Sequence, residues 1–262
     1  MSFDTQTWRK QLTLLKHALR LQEVANGVFV QRIPARYLAR LYDDDDSEDP
    51  VVDALRNLDD IFASCREALV DMSSSVEALL SVHEADKQSH GFVLLAWRLS
   101  FDAASRQMAE PALVGIATVS NFVSTPSFST DAESLSRGDL AKLTPYFGAR
   151  WSYLDALCST RPGVGRLLVL HAYVQALSMR KEGLIALSFA RRRAAVPESK
   201  KLFTSLNFDP LIPTADFRIQ IYGTWFKKSR ADLAGVAEAA MRVCTRTGLT
   251  ARTADTLLWR CP

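Results

Sequence analysis

The stretch "TRPGVGRLLVLHAY", residues 160–173, sets Gly163 and Gly165 one residue apart, directly before an apolar run of helical length, with Arg161 and Arg166 on either side. Such an arrangement can hold an anion. The first backbone N–H groups of a helix have no intrahelical partners and point beyond the helix start. The helix dipole adds partial positive charge in the same place. Glycine leaves those N–H groups unshielded and accepts backbone angles that other residues resist, and arginines add charge-assisted bonds. A pyrophosphate suits these donors. A tight strand-to-helix connection, in which glycine only relieves crowding, is the second reading of the same residues.

Other anion motifs fit less well. A P-loop needs G-x-x-x-x-G-K-[ST], which is absent, and the dinucleotide fingerprint wants a third glycine where this chain has Leu168. The acidic run "DDDDSEDP", Asp43 to Pro50, lacks the glycine and spaced oxygens of a calcium loop and reads as solvated. No metal site is expected. The densest basic cluster, Arg191 to Arg193, reads as a solvated loop or as a contact for a phosphate or an acidic partner.

With these residues in view, the chain resembles the GNAT-type N-acetyltransferase superfamily. That family's cofactor motif, Q/R-x-x-G-x-G/A, lies between its fourth strand and its third main helix. "TRPGVG" matches both glycines, with Thr160 where arginine or glutamine is usual and Arg161 one residue later. The family also follows its fifth strand with a helix of the form A-x-x-L-Y-x-x-L-G-F; here Leu202, Phe203, Leu206 and Phe208 in "ESKKLFTSLNFDPL" fall at that spacing, after the strand-like "LIALSF". The resemblance covers roughly residues 91–228. It implies acetyl-CoA or another acyl-CoA as cofactor and a primary amine as acceptor, with the pantetheine arm along the fourth strand and the pyrophosphate on the glycine turn. Carried onto this chain, Leu157 and Cys158 face the pantetheine through their backbone, and Arg161, Gly163, Val164, Gly165 and Arg166 hold the phosphates.

The chemistry departs from the family pattern. Many members use the tyrosine of the second motif as the general acid, and Phe203 has no proton to give. Tyr222, Tyr153, Asp155 and Cys158 are the nearby alternatives. Asp155 becomes a base for an ammonium substrate if its pKa is raised or a water intervenes; otherwise it is a polar residue on the exposed face of a strand. Tyr222 is either an acid or a packed ring with a satisfied hydroxyl. His171, inside an apolar helix, reads as a core or interface histidine. Cys158 is a nucleophile only with a histidine beside it, and reads as a small buried hydrophobe.

These residues need elements to place them. Apolar positions Trp8, Leu12, Leu15 and Leu19 predict an opening helix stopped by Asn26-Gly27, a pattern that transit peptides share but that reads as a domain helix. "VFVQRI" predicts a strand, and Val51 to about His83 one long or two consecutive helices broken at "DMSSSVEALL". Residues 91–101, 112–122 and 150–158 predict three strands, with a long serine-rich connection between the second and third. A helix from the glycine turn to near Gly183, the strand "LIALSF", a helix from Pro197, a strand over 217–226 and a closing helix "RADLAGVAEAAMRVC" follow. The expected fold is α/β (α+β): a GNAT-like mixed, mostly antiparallel sheet with flanking helices and a helical N-terminal extension. The domain reading is a helical part over 1–90 packed on or partly belonging to the same domain, a core over 91–228, and a C-terminal helix and tail over 229–262.

Composition sets the outer bounds. At 48% hydrophobic and 23% charged, the 262 residues suffice for a sizeable core, which excludes disordered and collagenous classes. A net charge of +3 spread over the chain gives no nucleic-acid footprint. No run approaches the roughly 18 apolar residues of a membrane span, and four cysteines without C-x-x-C spacing argue against a zinc ribbon or disulfide scaffold. An intracellular, reducing location fits best. The function expected is acyl-CoA-dependent N-acyl transfer to an amine, with a catalytically silent binding or assembly module as the alternative; oligomerisation is open.

Overall fold

The computed structural model describes residues 5–42, 49–63, 72–85, 91–102, 107–109, 111–123, 137–189, 197–212 and 219–226. The acidic run over 43–48, the arginines at 191–193, the closing helix and Cys65, Cys244 and Cys261 lie outside them.

Helix α1 (Thr5–Asn26) ends where Gly27 turns to φ +60°, and β1 (Val28–Pro34) follows at once. Next come α2 (Ala35–Tyr42), α3 (Pro50–Arg56), the single turn α4 (Leu58–Ile61) and α5 (Met72–Ala85). Asp49 caps α3 by accepting the Val51 N–H at 2.8 Å, with Pro50 in the first turn where its missing N–H costs nothing. The predicted strand over 91–101 divides: β2 (Phe92–Arg98) joins the main sheet, while β3 (Phe101–Asp102) pairs with β4 (Gln107–Met108) in a separate ribbon. Strands β5 (Ala112–Ser120) and β6 (Trp151–Ser159) flank the long connection, which contains α6 (Arg137–Leu143). Then α7 (Val164–Ser178), β7 (Gly183–Phe189), α8 (Pro197–Thr204), β8 (Asp209–Ile212) and β9 (Ile219–Trp225) complete the described order. Gly183 opens β7 instead of closing α7. The edge strand β8 is an addition to the sequence reading; Pro210 weakens any strand signal there, yet an edge strand tolerates proline.

The main sheet has seven strands in the order β1-β2-β5-β6-β7-β9-β8, and only β6 and β7 run parallel. This is the mixed, mostly antiparallel α/β architecture expected. Both faces are covered. On β2, Phe92, Leu94 and Ala96 enter a core shared with α1 and α7, while Val93, Leu95 and Trp97 enter one shared with α2, α3 and α5. Burial on both sides explains why β2 and β5 read as continuous apolar runs instead of alternating ones. Helix α7 is buried on nearly every side, from Val164 to Leu177, because α1 covers the flank that the sheet does not.

Gly115 fixes how closely α7 sits. A Cβ there would lie 2.6 Å from Val164 Cγ1 and 3.0 Å from Leu168 Cδ1. The missing side chain lets the start of the helix rest directly on β5. Among the described residues no helix is long and apolar enough to cross a membrane.

Candidate functional site

The parallel pair is clamped at one end and open at the other. Its register runs from Trp151↔Gly183 to Leu154↔Ala186 and stops, although β6 continues to Ser159 and β7 to Phe189. Beyond that point β7 stays with β9, reaching Phe189↔Ile219, and β6 stays with β5, reaching Ser159↔Gly115. The two strands therefore part toward their C-terminal ends, the position at which α/β sheets accept ligands. At the closed end the Lys181 ammonium donates to Asn121 O at 2.8 Å and Ala149 O at 2.6 Å, and Glu182 N–H donates to Arg150 O at 2.6 Å. Burial lowers the Lys181 pKa from its ordinary value.

Strand β6 presents backbone N–H groups to the opening. Ala156 N–H donates to Thr118 Oγ1 (3.1 Å) and Thr160 N–H to Val114 O (3.0 Å), both toward β5. Successive peptide groups alternate in direction, so the N–H groups of Leu157 and Ser159 face away from β5, into the gap. The register also slips at one place: Thr118 faces Ala156 and Val119 faces Leu154, leaving Asp155 as the extra residue of a bulge. Bulges re-aim side chains.

Asp155 is half-buried and does not lie on an exposed face of the strand, the second of the two positions expected for it. Burial raises its pKa from 3.8 to about 6, and the hydroxyls of Tyr153, Ser75 and Thr118 hold the shift back by hydrogen bonding. A carboxyl group titrating there is a proton acceptor at neutral pH without being a weak one.

The glycine turn stands at the mouth. Gly163 is the N-cap of α7 at φ +85°, a left-handed conformation that side chains resist, and no side chain caps the helix. Gly163 and Pro162 are exposed, while Arg161, Gly165 and Arg166 are half-buried. Burial lowers the Arg166 pKa without costing the guanidinium its charge. A residue that the sequence did not suggest also meets the turn: a Cβ on Gly163 would lie 2.9 Å from Asn26 Oδ1 at the end of α1. Nothing local signals that contact, since the two segments are far apart in the chain. The Gly165 side of the turn is occupied by Ser159 Oγ, 3.2 Å from where a Cβ would sit.

No protein-family model matches the chain, and no curated protein is significantly similar to it. Among solved structures it is similar to a protein from Desulfovibrio desulfuricans assigned to the GNAT-family acetyltransferases, at 11% identity over 76% of this chain and 98% of that one, with a TM-score of 0.37. It is likewise similar to YncA from Salmonella typhimurium, assigned as an acetyltransferase and solved with its cofactor acetyl-CoA, at 11% identity over 79% of this chain and 98% of that one, TM-score 0.37. Likenesses this shallow give no residue a role.

The remaining candidates fall as follows. Tyr222 is 2% exposed, its ring stacked on Phe203 with centroids 5.0 Å apart, in the core of the α1/α7 face; burial raises its pKa. Ser75, which reaches Asp155, belongs to α5 on the opposite face. Asp155 and Tyr222 thus lie toward different faces of the sheet. Cys158 is buried in the core, in keeping with its reading as a small buried hydrophobe, and it is disulfide-bonded, which removes it as a nucleophile; spacing along the chain could not show which cysteines meet in space. His171 packs at a helix interface as expected: its Nε2 lies 3.1 Å from Glu23 Oε1 of α1, which also accepts the Val30 N–H at 3.0 Å. Among the described residues no group of histidine, cysteine and acid side chains could hold a metal ion.

Proposed function

We propose that this chain binds an acyl-CoA in the opening between β6 and β7 and transfers the acyl group to a primary amine, acetyl transfer being the simplest case. One observation carries the reading: the parallel strands part just where an uncapped, glycine-led helix begins. The residues present suit the cofactor. Exposed Gly163, the Gly165 N–H, and Arg161 and Arg166 would hold a diphosphate, while the Val164 N–H donates within the turn to Arg161 O at 3.4 Å. The backbone of Leu157 would line the pantetheine path, while that of Cys158, like those of Ala156 and Thr160, turns toward β5. A bound acyl-CoA supplies an activated thioester open to attack by nitrogen.

The chain's own groups then have separate tasks. The Leu157 N–H, directed into the gap, donates to oxygen on which negative charge develops. Asp155 takes a proton from the ammonium form of the acceptor, which its pKa of about 6 permits at neutral pH. Tyr222 would be the acid for the departing thiol, beside Phe203, which lacks a hydroxyl. The acceptor is an amine, of a small molecule or a protein.

Isothermal titration of the full chain with acetyl-CoA and desulpho-CoA, paired with thiol release in the presence of amines, tests this. Binding that Arg166→Glu weakens at least tenfold, with release that needs an amine, supports the enzyme. Absence of binding sinks it. A second reading has its own observation: with Tyr222 and Asp155 toward opposite faces and Phe203 at the motif's usual tyrosine position, the sheet would serve as a catalytically silent binding or assembly module. Binding without release selects that reading.

A further inference from the structure

Helix α5 lays a regular stripe on the sheet. Met72, Val76 and Leu79 are buried in the core of that face, at the first, fifth and eighth places of the i, i+3, i+4, i+7 pattern. The fourth member of the stripe is Ser75. A hydroxyl at a position that packing alone would fill with an aliphatic side chain loses hydration and apolar contact unless it has a partner. Here the partner is the Asp155 carboxyl group, which Ser75 hydrogen-bonds across the face of the sheet. The neighbouring Ser73 donates instead to Asp59 Oδ1 at 2.9 Å, fixing the start of α5 against α4.

The sheet side is as specific. Thr118 Oγ1 already accepts the Ala156 N–H, so its own proton is available to the carboxylate opposite the bulge. Tyr153 of β6 is the third group facing Asp155, and of the three it alone titrates. Two elements from different layers therefore converge on one carboxyl group beside the opening.

We propose that Ser75 is a positioning residue, which holds the Asp155 carboxylate at the bulge and stabilises its charged form so that it can act on an acceptor amine. Its catalytic meaning rests on the function proposed above, but its chemistry is testable without it. A hydroxyl donating to a carboxylate lowers that group's proton affinity, and a buried carboxylate that loses such a donor regains the shift that burial imposes.

The test is a carbon-13 NMR titration of aspartate carboxyl groups in the full chain, with Asp155→Asn identifying the resonance. Ser75→Ala is expected to move the Asp155 midpoint upward by roughly one unit, a tenfold change in proton affinity, and Ser75→Thr, which keeps the hydroxyl, to hold it near the wild-type value. The acid limb of the thiol-release rate moves by the same amount while desulpho-CoA binding stays constant. A midpoint unmoved in Ser75→Ala overturns the proposal, as does a wild-type midpoint near the ordinary aspartate value. Failure of the wild-type chain to transfer acyl groups would overturn the function and leave the titration to decide on Ser75 separately.

Discussion

Asp155 makes a thermodynamic demand as well as a chemical one. Its carboxyl group titrates at about 6 in the folded chain and near 3.8 when solvated, so between those values the folded state holds more protons than the unfolded one. Stability therefore falls as pH rises through that window and stays lower above it. Asp155→Asn, uncharged at every pH, is expected to be more stable than wild type near pH 8 by about 2–3 kcal/mol and to lose the advantage below about pH 4. Urea unfolding at the two pH values measures the difference. The same variant should lower acyl transfer by roughly 100-fold or more if Asp155 is the base, so that activity and stability move in opposite directions, which a merely structural aspartate would not produce. For Tyr222 the expectation is narrower: Tyr222→Phe keeps the stacked ring against Phe203 and the fold, and thiol release falls only if the hydroxyl donates the proton.

Among the elements, the junction of β6 and α7 concentrates the constraints. Gly163 has a positive φ and faces Asn26 Oδ1, so Gly163→Ala combines backbone strain with a close contact. The left-handed conformation costs a side chain about 1–2 kcal/mol. Chemical denaturation should show at least that loss in Gly163→Ala, and Asn26→Ala added to it should recover the contact part but not the strain. The junction is held from the other side by α1, whose Glu23 meets both His171 of α7 and the Val30 N–H of β1. That last bond also occupies a donor on the free edge of β1, where an open N–H would invite another strand.

For the molecule as a whole, two features bind distant segments. Leu12, Leu15, Ala18 and Leu19 of α1 are buried in the same core as α7 and the sheet, so α1 packs as part of the folded unit. Replacing Leu15, 1% exposed, by alanine should cost about 2–5 kcal/mol in unfolding free energy. The disulfide at Cys158 is the second feature, and it lies on the strand that borders the opening. Peptide mapping without reductant should find Cys158 bridged, and reduction should lower stability by about 2–4 kcal/mol.

The sequence by itself determined the local elements and the glycine turn. Periodicity marks α1, β1 and β9, unbroken apolar runs mark β2, β5 and α7, and Gly163 announces the turn because few other residues accept its left-handed geometry. What surrounds Asp155, Ser75, Asn26 and Cys158 follows from the packing of distant segments. A bulge sets where Asp155 points, a helix from another layer brings Ser75 to it, α1 carries Asn26 to the turn, and the disulfide joins Cys158 to a cysteine that spacing could not name. Burial, and with it the shifted pKa, belongs to the packed layers: desolvation is a property of everything around a carboxyl group, which no window of neighbouring residues contains.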